Sequence, residues 1–170
     1  MRNNHKGYTL IELAVVVFII GLMLAFAVPR IRDTLLGDAL KTAARQLTGA
    51  VKELRSDAVR EQVDYVIAFD LEHGVYWRYS ADMTPEKKDE MKQQLFRFPD
   101  GVRIADMHHI GGAKKSEGEG QIRFFKKGYV QPTVIHLVKG NRYFTLVINP
   151  FLAGVKVYDR YVDFDDWTSG

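Results

Sequence analysis

The chain has 170 residues, 46% of them hydrophobic and 26% charged, a composition that excludes a wholly disordered, collagen-like or mucin-like protein. Its 24 lysines and arginines against 21 acidic residues give a formal net charge of +3, too small to indicate nucleic-acid binding by itself. Because it has no cysteine, a disulfide scaffold, thiol catalysis and cysteine-ligated metal sites are excluded.

An apolar segment lies close to the amino terminus. Residues 13–28 carry no charge, and extending the segment back to Tyr8 adds only Thr9 and Glu12 as polar residues. A helix of this length would extend about 30 Å, the thickness of the hydrocarbon core of a bilayer. Basic residues before it favour a cytoplasmic amino terminus. The sequence therefore predicts a membrane-spanning helix over residues 8–29.

Three interpretations of this segment are open on its residues alone. It could be a secretory signal peptide cut after Ala27, because small residues flank Phe26 in the way that signal peptidase requires. It could also be a plain single-pass anchor. The third interpretation depends on Glu12, since a carboxylate inside an apolar helix is usually paired or functional. Thr9 and Glu12 also have the spacing of a capping box, which would satisfy free amides at a helix start.

The residues around Glu12 favour the third interpretation. Residues 6–13 read Lys-Gly-Tyr-Thr-Leu-Ile-Glu-Leu, and this string resembles the class III signal of type IV pilins and type II secretion pseudopilins. In that family a membrane aspartyl peptidase, the prepilin peptidase, cuts after the glycine and methylates the new amino terminus. The resemblance implies that residues 1–7 are a cleaved leader and that Gly7 is its last residue. Tyr8 would be the methylated first mature residue, where phenylalanine is usual.

The same resemblance assigns two further residues. Glu12 becomes the fifth mature residue and the assembly residue of the helix, and Pro29 stands where the family's long helix often has a kink. A physical argument supports the role of Glu12, because an α-amine on Tyr8 is costly in a low-dielectric bilayer unless a carboxylate offsets its charge. Glu12 would therefore fix the axial position of one helix against its neighbour.

Residues 30–62 are predicted to continue the helix as an amphipathic segment. Apolar residues recur there at three- and four-residue steps and should pack on a globular domain, while basic and acidic residues occupy the other faces. The apolar stripe consists of Leu36, Leu40, Ala43, Leu47, Val51, Leu54 and Ala58.

Residues 63–170 are predicted to form a β-rich domain. Thr84 and Pro85 have the pattern of a helix start, so a short surface helix or ordered loop should follow them. Four glycines in residues 111–120 are typical of a mobile loop. The fold class is therefore α+β, a long helix packed on an antiparallel sheet of six to eight strands. The strand candidates are 65–69, 75–79, 102–107, 121–125, 133–138, 143–148 and 155–162.

The carboxy-terminal half resembles one branch of the pilin family, the GspH/FimT group. Phe125 and Gly128 match a Phe-x-x-Gly before the last hairpin, and residues 153–157 match a late Thr-Gly-x-Val turn in which Ala153 replaces the threonine. The resemblance implies a minor pseudopilin of the type II secretion system, in the bacterial inner membrane with its carboxy-terminal domain in the periplasm. Its partners would be the prepilin peptidase, the major pseudopilin and other minor pseudopilins.

No catalytic pattern is present, so neither an enzyme nor a small-molecule substrate or cofactor is expected. His108 and His109 are adjacent and would point to opposite faces of a strand, which argues against a metal site there. A solvated acidic end is favoured over calcium binding for Asp159, Asp163, Asp165 and Asp166. Solvated lysines and arginines are likewise favoured over a DNA surface for Lys114, Lys115, Arg123, Lys126, Lys127, Lys139 and Arg142.

The sequence thus favours a minor pseudopilin at or near the tip of a secretion pseudopilus. One alternative is a FimT/FimU-like minor pilin of a type IV pilus, with DNA as an additional ligand. A second alternative, of another class, is a secreted soluble protein cut after Ala27.

Overall fold

A computed structural model of the chain describes residues 10–109, 112–150 and 154–163, and for residues 25–38 it describes the backbone alone. The chain divides into two compact units, Met1–Leu35 and Leu36–Gly170, and helix α1 passes from one to the other. The elements in chain order are α1 (Leu10–Glu61), β1 (Tyr65–Asp70), β2 (Val75–Ser80), α2 (Pro85–Met91), β3 (Phe96–Arg97), β4 (Arg103–His109), β5 (Glu119–Phe124), β6 (Thr133–Lys139), β7 (Arg142–Ile148) and β8 (Val155–Tyr158).

The carboxy-terminal part of α1 packs one face into the second unit. Every residue of the predicted stripe from Leu40 to Ala58 is buried, which confirms the sequence pattern over that range, whereas the side chain of Leu36 lies outside the described residues. Lys41, Arg45 and Lys52 are exposed on the remaining faces. Burial of this apolar stripe, more than intrinsic helix propensity, holds the segment helical.

The strands form two antiparallel sheets of four, in the orders β3-β2-β1-β5 and β4-β6-β7-β8. The number of strands agrees with the predicted six to eight, but the prediction of a single sheet is wrong. The strands divide into two sheets because of how they pair. Strand β1 is hydrogen-bonded to β2 on one edge and to β5 on the other, and β6 is hydrogen-bonded to β4 and to β7. Outside the named strands, the described residues show only isolated bridges, Met107↔Lys115 and Phe124↔Val130.

Strand β8 ends earlier than the sequence predicts, at Tyr158 rather than at residue 162. Beyond it, side-chain hydrogen bonds from β7 replace the backbone ladder. The Thr145 hydroxyl donates to the Arg160 carbonyl at 2.7 Å and accepts from the Val162 amide at 3.0 Å. The segment after β8 is thereby attached to the second sheet without being a strand.

Helix α2 begins as predicted, with Thr84 as its N-cap and Pro85 in its first turn. The Thr84 side chain accepts from the Lys87 amide at 3.5 Å, which satisfies one of the free donors of the first turn. Strand β3, of two residues, was missed from the sequence because two residues carry no measurable alternation.

One buried cluster joins the helix face to inward-facing side chains of both sheets. Strand β5 alternates between buried and exposed residues, so Ile122 and Phe124 face the core while Gln121 and Arg123 do not. Gly120 lies on the buried side, where a β-carbon would stand 2.1 Å from the Met107 sulfur. The absence of a side chain at Gly120 is what lets Met107 of β4 pack against β5.

Candidate functional site

The amino-terminal part of α1 presents apolar side chains to the outside. All the large apolar residues from Leu10 to Leu24 are exposed, from 46% at Val16 to 87% at Leu10. Glu12 is also exposed and lies in the first turn, where a negative charge interacts favourably with the helix dipole. A helix that is apolar on all sides requires lipid or other protein to cover it.

Among the described residues, no helix combines the length and the apolarity that crossing a membrane requires.

Of the four site residues assigned by resemblance, the structure describes the surroundings of Glu12 alone. Gly7 and Tyr8 lie outside the described residues, and so does Thr9, the proposed partner of Glu12 in a capping box. Pro29 lies within the helical backbone of α1, but its side chain is not described. The cleavage, methylation and kink therefore stay predictions.

The Phe-x-x-Gly sequence forms a tight turn beside helix α1. The Gly128 amide donates to the Phe125 carbonyl at 2.8 Å, and Gly128 has a φ of 90°, a conformation that favours glycine. The rings of Phe125 and Tyr129 stack with centroids 4.4 Å apart. The Arg55 side chain of α1 donates to the Gly128 carbonyl at 2.8 Å. This motif therefore joins the helix to the sheet domain.

A buried polar cluster that the sequence did not indicate lies on strands β4 and β6 of the second sheet. Asp106, His108 and His136 are all buried, and one ligand atom from each lies within 4.8 Å of the other two. His136 Nδ1 is 2.7 Å from Asp106 Oδ1, and His136 Nε2 is 2.9 Å from the Val162 carbonyl oxygen. We refer to Asp106, His108 and His136 as the buried triad.

The environment of the triad shifts two of its pKa values. Burial opposes ionisation of Asp106, but the hydrogen bond and charge of His136 outweigh it, so the pKa of Asp106 lies below its ordinary value. Burial, followed by the positive charges of His136 and Lys114, lowers the pKa of His108. At neutral pH Asp106 is therefore a carboxylate and His108 a neutral imidazole.

The segment after β8 covers the buried triad. The Tyr161 ring stacks on His136 with centroids 3.9 Å apart and planes 14° apart, and its hydroxyl donates to Asp106 Oδ2 at 3.2 Å. Lys114 donates to the Tyr161 hydroxyl at 2.7 Å and lies 3.5 Å from the Asp163 carboxylate. We call residues 159–163 the carboxy-terminal strap.

His109 points away from the triad, as expected for neighbours on a strand, and its Nδ1 is 3.0 Å from the Thr133 hydroxyl. The sequence places His108 beside His109, whereas the structure groups His108 with His136. Only the separate presence of an aspartate and a histidine in two predicted strands could have signalled this grouping, since pairing and register are not visible in the sequence.

Several members of the proposed basic and acidic groups are paired with each other or with nearby groups. Arg142 forms an ion pair with Asp159 at 3.1 Å, and Arg123 lies 3.3 Å from Asp64. Lys115 donates to the Glu119 carbonyl. Asp165 and Asp166 lie outside the described residues.

Comparisons with known proteins agree with the amino-terminal pattern and with the fold. Residues 2–28 match the prokaryotic N-terminal methylation motif. Two fimbrial proteins of Pseudomonas aeruginosa are each 39% identical over 75 residues, a match that covers 38% of this chain and 49% of each relative. The chain thus aligns with about half the length of these relatives.

Two structures of the minor pseudopilin EpsH from the type II secretion system of Vibrio cholerae superimpose on the chain with a TM-score of 0.54. The fold is that of a minor pseudopilin. The alignments cover 74% of this chain and 97% and 99% of the EpsH chains, at 13% and 12% identity, so they establish architecture rather than function. The expected α+β pilin-like fold and the resemblance to type IV pilin-like proteins are confirmed.

Proposed function

We propose that this chain is a minor pseudopilin, a structural subunit at or near the tip of a type II secretion pseudopilus that supports protein export across the outer membrane. The observation that carries the proposal is the fold, which matches a minor pseudopilin over nearly that protein's whole chain. The match of residues 2–28 to the methylation motif supports it independently. A structural role accounts for the fold without enzymatic activity or a small-molecule substrate.

Maturation is the first part of the proposal. The prepilin peptidase removes residues 1–7 after Gly7 and methylates Tyr8. Residues 8–29 then form the membrane and assembly helix, with a kink at Pro29, and residues 30–62 continue it to the domain of residues 63–170. The match of residues 2–28 to the methylation motif supports the leader and the apolar helix in this division.

Assembly is the second part. The subunit is held in the bacterial inner membrane with its amino terminus in the cytoplasm and its β-rich domain in the periplasm. The apolar side chains of Leu10–Leu24 are exposed, and we propose that lipid covers them before assembly. Helices of the major pseudopilin and other minor pseudopilins cover them afterwards, with no nucleic acid involved.

Mass spectrometry of the mature protein tests maturation. Intact mass and amino-terminal sequencing of the chain purified from its native membrane should show a methylated Tyr8 as the first residue. A chain beginning at Val28 would instead establish the secreted soluble alternative and overturn the proposal.

Glu12→Ala tests assembly. Removal of the carboxylate should leave processing and folding intact but reduce incorporation into the filament, because a neighbour's α-amine would lose its charge partner in the bilayer. Crosslinking to neighbouring subunits, measured beside a Val16→Ala control on the same exposed helix, gives the readout. Equal crosslinking in the two variants would contradict a charge-specific role for Glu12.

A FimT/FimU-like minor pilin of a type IV pilus is the second candidate, favoured by the similarity to the fimbrial proteins. Deletion of the gene separates the two candidates. Loss of protein export with intact surface pili supports the pseudopilin, and loss of pili with normal export supports the pilin. In the pilin case, a gel-shift assay would then determine whether DNA is bound.

A further inference from the structure

The buried triad is preorganised by the pairing of two neighbouring strands. The β4–β6 register places Asp106 directly opposite His136, and a register shift occurs between Ile104 and Asp106. His108 lies two residues further along β4 and therefore faces the same side of the sheet as Asp106. Side chains held on adjacent strands keep their relative positions better than side chains on loops.

The hydrogen bond at Nε2 fixes the orientation of the His136 ring. A backbone carbonyl can only accept, so the 2.9 Å contact with Val162 requires a proton on Nε2. The other nitrogen, Nδ1, faces Asp106 Oδ1 at 2.7 Å. Histidines that bind metals in proteins show this arrangement, in which one ring nitrogen ligates and the other donates to a carbonyl or carboxylate.

We propose that Asp106, His108 and His136 bind a divalent transition-metal ion of the zinc type. Two imidazole nitrogens and one carboxylate oxygen suit Zn²⁺ or Co²⁺, whereas Ca²⁺ and Mg²⁺ prefer oxygen ligands throughout. Three protein ligands leave a fourth position for water or for another side chain. The Tyr161 hydroxyl donates to the other carboxylate oxygen, Asp106 Oδ2, at 3.2 Å and leaves Oδ1 facing His136.

Metal binding requires only a local adjustment. Tetrahedral coordination with bonds of about 2.0–2.2 Å places neighbouring ligand atoms roughly 3.3 Å apart. The three ligand atoms already lie within 4.8 Å of one another, and the 2.7 Å contact between Asp106 and His136 must lengthen by several tenths of an ångström. Rotation of the Asp106 carboxylate supplies that change, and the metal takes the place of the proton between Nδ1 and Oδ1.

Metal binding at the triad should also stabilise the carboxy-terminal strap. The strap closes over the triad through the Tyr161 ring and through the Val162 carbonyl that orients His136. A metal that fixes His136 therefore also favours the closed strap. This link predicts that the ion slows hydrogen exchange at the Val162 amide, which is bonded to Thr145.

Titration of the purified full-length chain, freed of metal and of any polyhistidine tag, tests the proposal. Co²⁺ should bind with one-to-one stoichiometry and develop the visible absorption of four-coordinate cobalt, and Zn²⁺ should displace it. X-ray absorption of the zinc-loaded chain should show two imidazole ligands. This measurement needs no substitution, so it remains decisive if a variant fails to fold.

Single-residue variants locate the site. His108→Gln and Asp106→Asn should weaken Co²⁺ binding by at least about 100-fold, since even the loss of an outer hydrogen bond costs 10–100-fold. His109→Gln is the matched control, because His109 is adjacent in sequence, faces Thr133 and should leave binding unchanged. Circular dichroism checks that each variant is folded.

Three results would overturn the proposal. The first is the absence of one-to-one Co²⁺ or Zn²⁺ binding, which would leave the triad as a hydrogen-bonded ion pair alone. The second is Co²⁺ binding of undiminished affinity in folded His108→Gln and Asp106→Asn. The third is displacement of cobalt by Ca²⁺ at comparable concentration, which would contradict a site with two nitrogen ligands.

Discussion

At the scale of single residues, Gly120 of β5 leaves room for the Met107 side chain, which comes from a strand of the other sheet. Because a β-carbon there would stand 2.1 Å from the Met107 sulfur, Gly120→Ala should force Met107 to move and lower the free energy of unfolding by about 1–3 kcal/mol. Gly49→Ala is the control, since nothing lies within 4 Å of its β-carbon and alanine is the better helix former. Equal stability of the two variants in urea unfolding would contradict this account of the packing.

Asp70 organises the turn between β1 and β2. Its Oδ1 accepts from the amides of Glu72 and His73 at 3.1 and 3.0 Å, and its Oδ2 lies 2.7 Å from His73 Nδ1. Burial opposes its ionisation, yet the hydrogen bonds from His73 prevail and the pKa of Asp70 is lowered.

This lowered pKa gives a defined pH dependence. A group whose pKa falls on folding adds stability above its unfolded value of about 3.9 and loses that contribution as the pH falls through its folded value. Asp70→Ala should therefore cost about 1 kcal/mol at pH 7, and the difference from the unaltered chain should shrink below about pH 4. Urea unfolding across this range measures it, and a constant difference down to the lowest pH would contradict the assignment.

Single functional residues can be predicted from the sequence only where a local pattern marks them. The role of Glu12 stays a prediction, and a local pattern suffices for it because a lone carboxylate in an apolar run stands out without knowledge of the fold. The association of Asp106 with His136, thirty residues later, depends on strand register. A slip of one residue would turn His136 to the other face of the sheet, and no local pattern fixes that choice.

At the scale of elements, the buried face of α1 bears on stability. Leu47 is fully buried in this face, so Leu47→Ala should lower the free energy of unfolding by about 2–5 kcal/mol through lost burial and a residual cavity. Lys52→Ala, on the exposed side, should change it by less than about 0.5 kcal/mol. Equal losses in thermal or urea unfolding would contradict the assignment of the two faces.

Element boundaries were predictable where one local rule controls them. The three- and four-residue spacing gave the face of α1, and Thr84 with Pro85 gave the start of α2. The early end of β8 was not predictable, because Thr145, from another strand, bonds to the segment that follows. The division into two sheets likewise depends on which strand edges meet, and the chain order does not determine this.

At the scale of the whole molecule, the buried hydrophobic residues of the described chain all lie at Leu40 or later. A chain of residues 36–170 should therefore fold with cooperative unfolding and the circular dichroism expected of a helix with two sheets. A chain of residues 49–170 lacks Leu40, Ala43 and Leu47 and should be much less stable. Cooperative unfolding of both at the same temperature would contradict a core that depends on α1.

The position of β1 inside its sheet also determines the order in which the molecule can be completed. One edge of β1 pairs with the adjacent β2, but the other pairs with β5, whose partners are 49 to 59 residues further along the chain (Asp70↔Glu119 and Tyr65↔Phe124). Closing so long a loop is slow and costs entropy before any contact offsets it. During synthesis the early hairpin therefore keeps one unpaired strand edge, available to foreign strands, until the chain through Phe124 has emerged.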